Sequence, residues 1–475
     1  MRWGQKPESR KPTSSLHGPA RDGATGLMTY PAFLFACGDA LAAFVDADTP
    51  ALPAVLLVDI DGVAAAIEAE MHYFAADEVV ALMAGRIERE VDTLGCVART
   101  SDRQVGVLFA HLPQPAVALD LAYRIVTAIS SPATLASGRQ VQLSASCGLV
   151  TRDAVSTRTT APDLLRAAGL AVREARRGGR NRIQLCTPEM IAVADETLVM
   201  GNDLRQALEN KDLRVYYQPL VDLKNGSIIG FEALVRWTHP VHGAVPPSRF
   251  VLVAEQFGLI SELGRMVLST ASAQIQEWSG AFNIPLDLHV NFSSGALAED
   301  SFITMVKESL FTSGLAPSRL VLEVTEGAAQ PGLDIARVRF DALHDLTVRI
   351  ALDDFTTGRS TLGYLESLRV DVIKVDRFYL DSRAERDEGQ APPEELLRGV
   401  IRLGKALGMQ VYAEGIEKDE ERTWLQEHGC RIGQGYLFAR PLPAADVAGL
   451  LRDQAAQAGT QGRGLLPAQT APTST

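Results

Sequence analysis

The chain has 475 residues, enough at about 150 per domain for two or three separate cores, so a peptide or single small module is excluded. Its 46 basic and 58 acidic residues leave a formal charge of −12, which argues against holding nucleic acid polymers or anionic lipid through a positive field. Hydrophobic residues at 46% and charged residues at 22% are ordinary for a folded domain and exclude a disordered or fibrous chain.

In chain order, residues 1–21 are rich in Pro, Ser, Gly and Arg without periodicity and are expected to form a disordered tail. They contain charge but no apolar signal-peptide core, and no later run approaches the roughly 18 apolar residues of a membrane span. A cytoplasmic protein without membrane insertion is therefore expected. Residues 22–187 alternate short apolar runs with amphipathic stretches: AVLLVDID, DEVVALMAGRIEREV, VGVLFA, LDLAYRIVTAI, VQLSASCGLV and PDLLRAAGLAVREA. That order of strand and helix predicts a moderate α/β sandwich. A composition shift over 188–202 reads as a linker, and 453–475 as a second disordered tail.

Residues 203–452 have the length of one barrel domain, roughly 250 residues, and repeat a βα alternation many times. The predicted strands are RVYYQPLVD, IIGFEALVRW, LDLHVNFS, RLVLEVTE, VRIALDDF, VDVIKVD, MQVYAEG and CRIGQGYLF. Most carry a polar side chain towards the C-terminal end, which in a parallel α/β barrel opens on one face. Glu232, Asn291, Glu323, Asp353, Asp354, Lys374, Glu414 and Gln434 are thus expected at one mouth.

Five carboxylates so placed, with the amides of Asn291 and Gln434 beside them, repel one another unless cations neutralise them. Ligation by oxygen alone selects hard divalent ions, magnesium or manganese, over zinc. Adjacent Asp353 and Asp354 can bridge two such ions, and a two-ion clamp on water and leaving oxygen points to phosphoester hydrolysis, with Lys374 orienting the water. Arg236 either pairs with an acid or forks a phosphate. Gln218 either caps its strand or touches a base. Glu326 and Glu417, each three residues after a candidate ligand, read as supporting or loop-fastening groups, and Asp376 joins them. The five cysteines are dispersed, without CxxC spacing, and read as reduced thiols rather than a zinc site or disulfide framework.

The second block resembles the EAL domain, the phosphodiesterase module that hydrolyses cyclic di-GMP in bacteria. FEALVRW at 231–237 carries the namesake motif, followed in order by HVNFS, LVLEVTE, RIALDDF, DVIKVD, VYAEGIE and GQGYLFARPLP. The resemblance implies a TIM-like barrel whose first strand is antiparallel to the rest, and the linear product pGpG. It implies Glu232, Asn291, Glu323 and Asp353 on a first ion, with Asp353, Asp354 and Glu414 on or facing a second. It makes Lys374 the water-orienting group, Glu414 the base, Gln434 a supporting residue, and Gln218, Leu234 and Arg236 contacts for the dinucleotide. Dimerisation through this domain is implied as well, coupled to the metals through Glu326. The segment DDFTTGRST departs from the family's DDFGTGYSS at Thr356, Arg359 and Thr361, so a receptor that binds without efficient turnover stands as the alternative.

The first block resembles a degenerate GGDEF domain, the diguanylate cyclase fold. DGATGL, DIDG and RRGGRNR match its opening, metal-loop and closing motifs, but Ser101–Val105 reads SDRQV where the signature belongs. Asp59 alone survives as a metal-ligand candidate, and Ile67 and Glu68 replace the guanine-reading pair. A regulatory or dimerisation module is expected, with its input unidentified and a protein partner allowed.

Overall fold

The alternating apolar runs resolve, in the computed structural model, into two contact units, Met1–Leu198 and Val199–Thr475. The structure describes residues 20–46, 52–63, 75–112, 114–151, 154, 159–325, 333–353, 355, 368–380 and 393–460. Ile67, Glu68, Glu326, Asp354 and the loop Thr356–Thr361 lie outside them.

The first unit runs β1 (Met28–Thr29), α1 (Tyr30–Asp46), β2 (Leu52–Asp61), α2 (Ala75–Val91), β3 (Cys96–Arg99), β4 (Gln104–Leu112), α3 (Pro115–Ser130), the hairpin β5 (Ala133–Thr134) and β6 (Gln140–Val141), β7 (Ser144–Thr151), α4 (Ala161–Arg177) and β8 (Ile183–Leu185). Its six-stranded sheet is ordered β1-β3-β4-β2-β7-β8, with β2 antiparallel to both β4 and β7. The period-2 geometry of a strand divides β2 between two cores. Leu56 and Val58 join Val79, Met83 and Ile125 from α2 and α3, whereas Val55 and Leu57 join Phe33, Leu164 and Val172 from α1 and α4. Both faces of the sheet are therefore covered, the predicted α/β sandwich. Helix α4 starts in a reciprocal capping box between Thr160 and Asp163. It sits so close to β7 that a Cβ at Gly148 would lie 2.1 Å from the Ala168 carbonyl oxygen.

Residues 188–202, read from sequence as a linker, belong to a helix, α5 (Pro188–Asn210). Its start fits proline's preference for the first helical position, where a missing N–H costs nothing.

The second unit is a closed barrel of eight strands: β9 (Arg214–Asp222), β10 (Ile228–His239), β12 (Asp287–Asn291), β13 (Leu320–Thr325), β14 (Arg349–Asp353), β15 (Val372–Val375), β16 (Gln410–Ala413) and β17 (Ile432–Gly433). Strand β9 is antiparallel to both neighbours, β10 and β17, while every other adjacent pair in the ring is parallel. This is the TIM-like barrel with an antiparallel first strand. Two short strands, β11 (Gly243–Val245) and β18 (Leu442–Pro443), extend β10 and β9. The helices are α6 (Pro247–Gln256), α7 (Ile260–Phe282), α8 (Ser294–Ala298), α9 (Phe302–Ser313), α10 (Leu333–Asp345), α11 (Pro393–Ala406), α12 (Asp419–Glu427) and α13 (Ala444–Thr460).

Apolar side chains divide here into a large cluster and a small one, Leu220, Val321, Ala351, Val372, Tyr412 and Ile432, contributed by barrel strands alone. The small cluster is the apolar plug expected of a packed barrel interior. Residues 453–460, expected in the disordered tail, instead continue α13. Gln454 anchors that turn, accepting from the Ile228 amide at 2.7 Å and donating to its carbonyl at 3.3 Å.

Candidate active site

Because the strands are parallel, the same C-terminal position on each brings a side chain to one mouth. The structure assembles there Glu232 of β10, Asn291 of β12, Glu323 of β13, Asp353 of β14 and Lys374 of β15, with Glu414 and Gln434 just past β16 and β17. Strand β9 runs the other way, so Gln218 reaches the same level from mid-strand, in register with Glu232.

Lys374 is the hub. Its side chain is 1% exposed, and Nζ lies 2.7 Å from Glu323 Oε2 and 3.6 Å from both Glu232 Oε2 and Asp353 Oδ1, with Glu414 also in direct contact. Four carboxylates thus share one ammonium. Burial alone would drive the proton off Lys374, but Glu232, Glu323, Glu414 and Asp353 reverse this and raise it well above the ordinary lysine value. Burial likewise pushes Glu323 and Glu414 well above the carboxylate range, with Lys374 opposing. Glu232 differs: against the cost of burial, Lys374 and hydrogen bonds from Gln434 and Asn291 hold it below. Asn291 Nδ2 donates to Glu232 Oε1 at 2.6 Å and Gln434 Nε2 to Oε2 at 2.5 Å.

Several expected residues are engaged differently from the simplest reading. Gln218 is buried, donating to the Ala439 carbonyl at 3.3 Å and accepting from Gln434 at 3.2 Å, so both ends of its amide are internally bonded. Gln434 faces Glu232 and Gln218 rather than an open surface. Leu234 lies two residues beyond Glu232 on β10, half-buried. Arg236 donates to the Val235 carbonyl at 2.9 Å and lies 5.8 Å from the centre of the Tyr216 ring. Asp376 caps the turn Arg377–Tyr379 through the Phe378 amide at 2.7 Å, and Glu417 pairs with Arg377 at 2.8 Å. Both fasten the loop beside the mouth. The sequence reading missed His289, whose Nδ1 lies within hydrogen-bond distance of Glu323 Oε1, at 2.6 Å, and whose pKa burial and Lys374 push down to about 3.

Among the described residues, no three His, Cys, Asp or Glu side chains are grouped to hold a metal ion as they stand. Lys374 occupies the middle of the carboxylate ring instead. The donor chemistry nevertheless fits a hard divalent cation: all oxygen, four carboxyl groups around one ammonium, and an Asp353 Oδ1 buried without a hydrogen-bond partner.

The pattern of the EAL domain matches residues 201–441, half of the chain and the whole of this mouth. The chain belongs to the EAL domain family. The GGDEF diguanylate cyclase domain matches residues 21–182. The chain is similar to MucR of Pseudomonas aeruginosa, a bifunctional diguanylate cyclase/cyclic di-GMP phosphodiesterase, with 35% identity over 83% of this chain and 56% of that protein. It is also similar to NbdA of the same organism, a cyclic di-GMP phosphodiesterase, with 34% identity over 84% of this chain and 50% of that one. The chain thus spans about half the length of these relatives. Among solved structures, the EAL enzyme Bd1971 bound to cAMP and cyclic di-GMP is 27% identical with a TM-score of 0.51, covering 66% of this chain and 82% of that one. No helix among the described residues is long and apolar enough to cross a membrane.

In the GGDEF domain, the turn after β3 carries Ser101, Asp102 and Arg103 in place of the signature. Asp59, the surviving candidate for a metal there, is paired instead with guanidinium groups, Arg176 at 3.0 Å and Arg103 at 3.5 Å. Asp61 accepts from Ser146 at 2.7 Å and lies 3.7 Å from Arg176. Two arginines already supply the positive charge a metal would bring.

Proposed function

We propose that the EAL barrel hydrolyses cyclic di-GMP to linear pGpG, and that the GGDEF domain is a regulatory or dimerisation module without cyclase activity. The observation that carries this reading is the ring of Glu232, Glu323, Asp353 and Glu414 around Lys374, in a family with cyclic di-GMP phosphodiesterases among its members. Magnesium or manganese suits the donors: Glu232, Asn291, Glu323 and Asp353 would hold one ion, and Asp353, Asp354 and Glu414 a second. Such ions supply positive charge to the phosphoryl oxygens and lower the pKa of water.

The protein's own groups then divide the work. Lys374 holds and orients the attacking water by donating to it, and Glu414 accepts its proton. The new P–O bond forms as the P–O3′ bond breaks, the 3′ oxygen taking a proton from solvent while Glu414 returns the one it accepted to solvent, which yields one 5′-phosphate and one free 3′-hydroxyl. Arg236 forks the phosphate, while Gln218 and Leu234 line the dinucleotide. Gln434 fixes Glu232, and Glu417 and Asp376 brace the adjoining loops. A homodimer through the barrel and a cytoplasmic location complete the proposal. On the GGDEF side, the pairing of Asp59 with Arg103 and Arg176 speaks against a catalytic metal.

The test is to incubate the full chain with cyclic di-GMP in magnesium or manganese, then in chelator, and to resolve the nucleotides by anion exchange. Metal-dependent pGpG is expected. Cyclic di-GMP bound but left intact would make the chain a receptor and would refute the catalytic reading.

A further inference from the structure

Strand β12 presents Asp287, His289 and Asn291 at alternate positions, and each is bonded at a different level of the barrel. Asp287 accepts from Arg319 at 2.9 Å and pairs with Arg349 at 2.7 Å. Asn291 donates to Glu232 at the mouth. His289 lies between them, beside the apolar plug, where an aliphatic side chain would pack without leaving a polar atom to satisfy.

Its partner explains it. Glu323 is fully buried, and Lys374 bonds only one of its oxygens, Oε2. The terminal torsion of a glutamate is broad, so one bond leaves the carboxylate plane loosely set. His289 bonds the other oxygen at 2.6 Å, and the Tyr412 ring, 5.5 Å away and inclined by 38°, backs the imidazole. We propose that His289 is a positioning residue: its Nδ1–H fixes the carboxylate plane of Glu323, so that this carboxylate meets a divalent ion already oriented. The inference rests on the reading of Glu323 as an ion-holding group. Partners one bond removed from a metal ligand characteristically govern affinity in this way.

The test measures manganese binding to the full chain, by electron paramagnetic resonance of free Mn2+, for wild type, His289→Leu and His289→Asn. Leu and Asn are of similar size, but only Asn keeps an N–H to offer Oε1. The proposal expects a loss of about 10- to 100-fold in Mn2+ affinity for Leu, and recovery to within a few-fold for Asn, at comparable thermal unfolding temperatures. His289→Met repeats the apolar arm should the Leu variant fail to fold. Wild-type affinity in the apolar variants overturns the proposal, as does an equal loss in Asn, which would mark a packing role. A wild-type chain that binds no Mn2+ overturns the reading of Glu323 itself, and with it this inference.

Discussion

Lys374 and its carboxylates show how far single residues could be read. Charged groups closing apolar runs are costly unless used, so Glu232, Glu323, Asp353, Lys374 and Glu414 stood out from the pattern alone. Their internal arrangement did not, because a sequence carries no distances: nothing in it shows that Gln434 Nε2 lies within hydrogen-bond reach of both Gln218 Oε1 and Glu232 Oε2. His289 was hidden for another reason, since a lone histidine inside an apolar run reads as core. Lys374→Met removes the one ammonium from four carboxylates. Measured at saturating cyclic di-GMP, kcat is expected to fall on the order of 10²- to 10³-fold, the cost of losing a well-placed donor. An unchanged kcat would remove Lys374 from the mechanism.

Among elements, the eight barrel strands were legible because each couples an apolar run to a polar end. The direction of β9 was not, since alternation has no polarity, and only the family resemblance supplied it. The first part of α5, residues 188–202, was read as linker from a composition shift; the buried stripe of the helix, Met200, Leu204, Ala207 and Leu208, lies in its C-terminal half, and Pro188 was the available start signal. Close approach is an element-scale constraint too. A Cβ on Gly435 would fall 2.1 Å from the Ile416 carbonyl oxygen, so Gly435→Ala forces the β16 and β17 loops apart. A destabilisation of about 1–3 kcal/mol is expected in chemical unfolding. At the start of α4, Thr160→Ala removes half of the capping box and is expected to cost about 1 kcal/mol. Hydrogen bonds from Thr160 hold Asp163 below the ordinary carboxylate value. The contribution of Asp163 is therefore complete above its unfolded pKa and fades as pH falls through the depressed folded one. The cost of Thr160→Ala, measured by unfolding at pH 7 and again near pH 3, should shrink at the lower pH.

For the whole molecule, composition was a sound guide to a chain of two α/β units. All five cysteines are free, four of them buried. Burial raises each of them, Cys37 and Cys430 to about 12. Since the thiolate is the reactive form, an aromatic disulfide reagent at pH 8 should label the native chain slowly and release five equivalents only after denaturation; rapid native labelling of all five would contradict the packing described. The central claim is that the carboxylate mouth of the barrel breaks a phosphodiester of cyclic di-GMP. Its most direct test is the time course of nucleotide products in Mn2+ for the wild-type chain beside Glu232→Gln, which keeps the shape of the side chain and removes its charge. The account predicts one pGpG per cyclic di-GMP consumed by wild type and none above background in the variant. Equal turnover by both chains, or none by either, would contradict it.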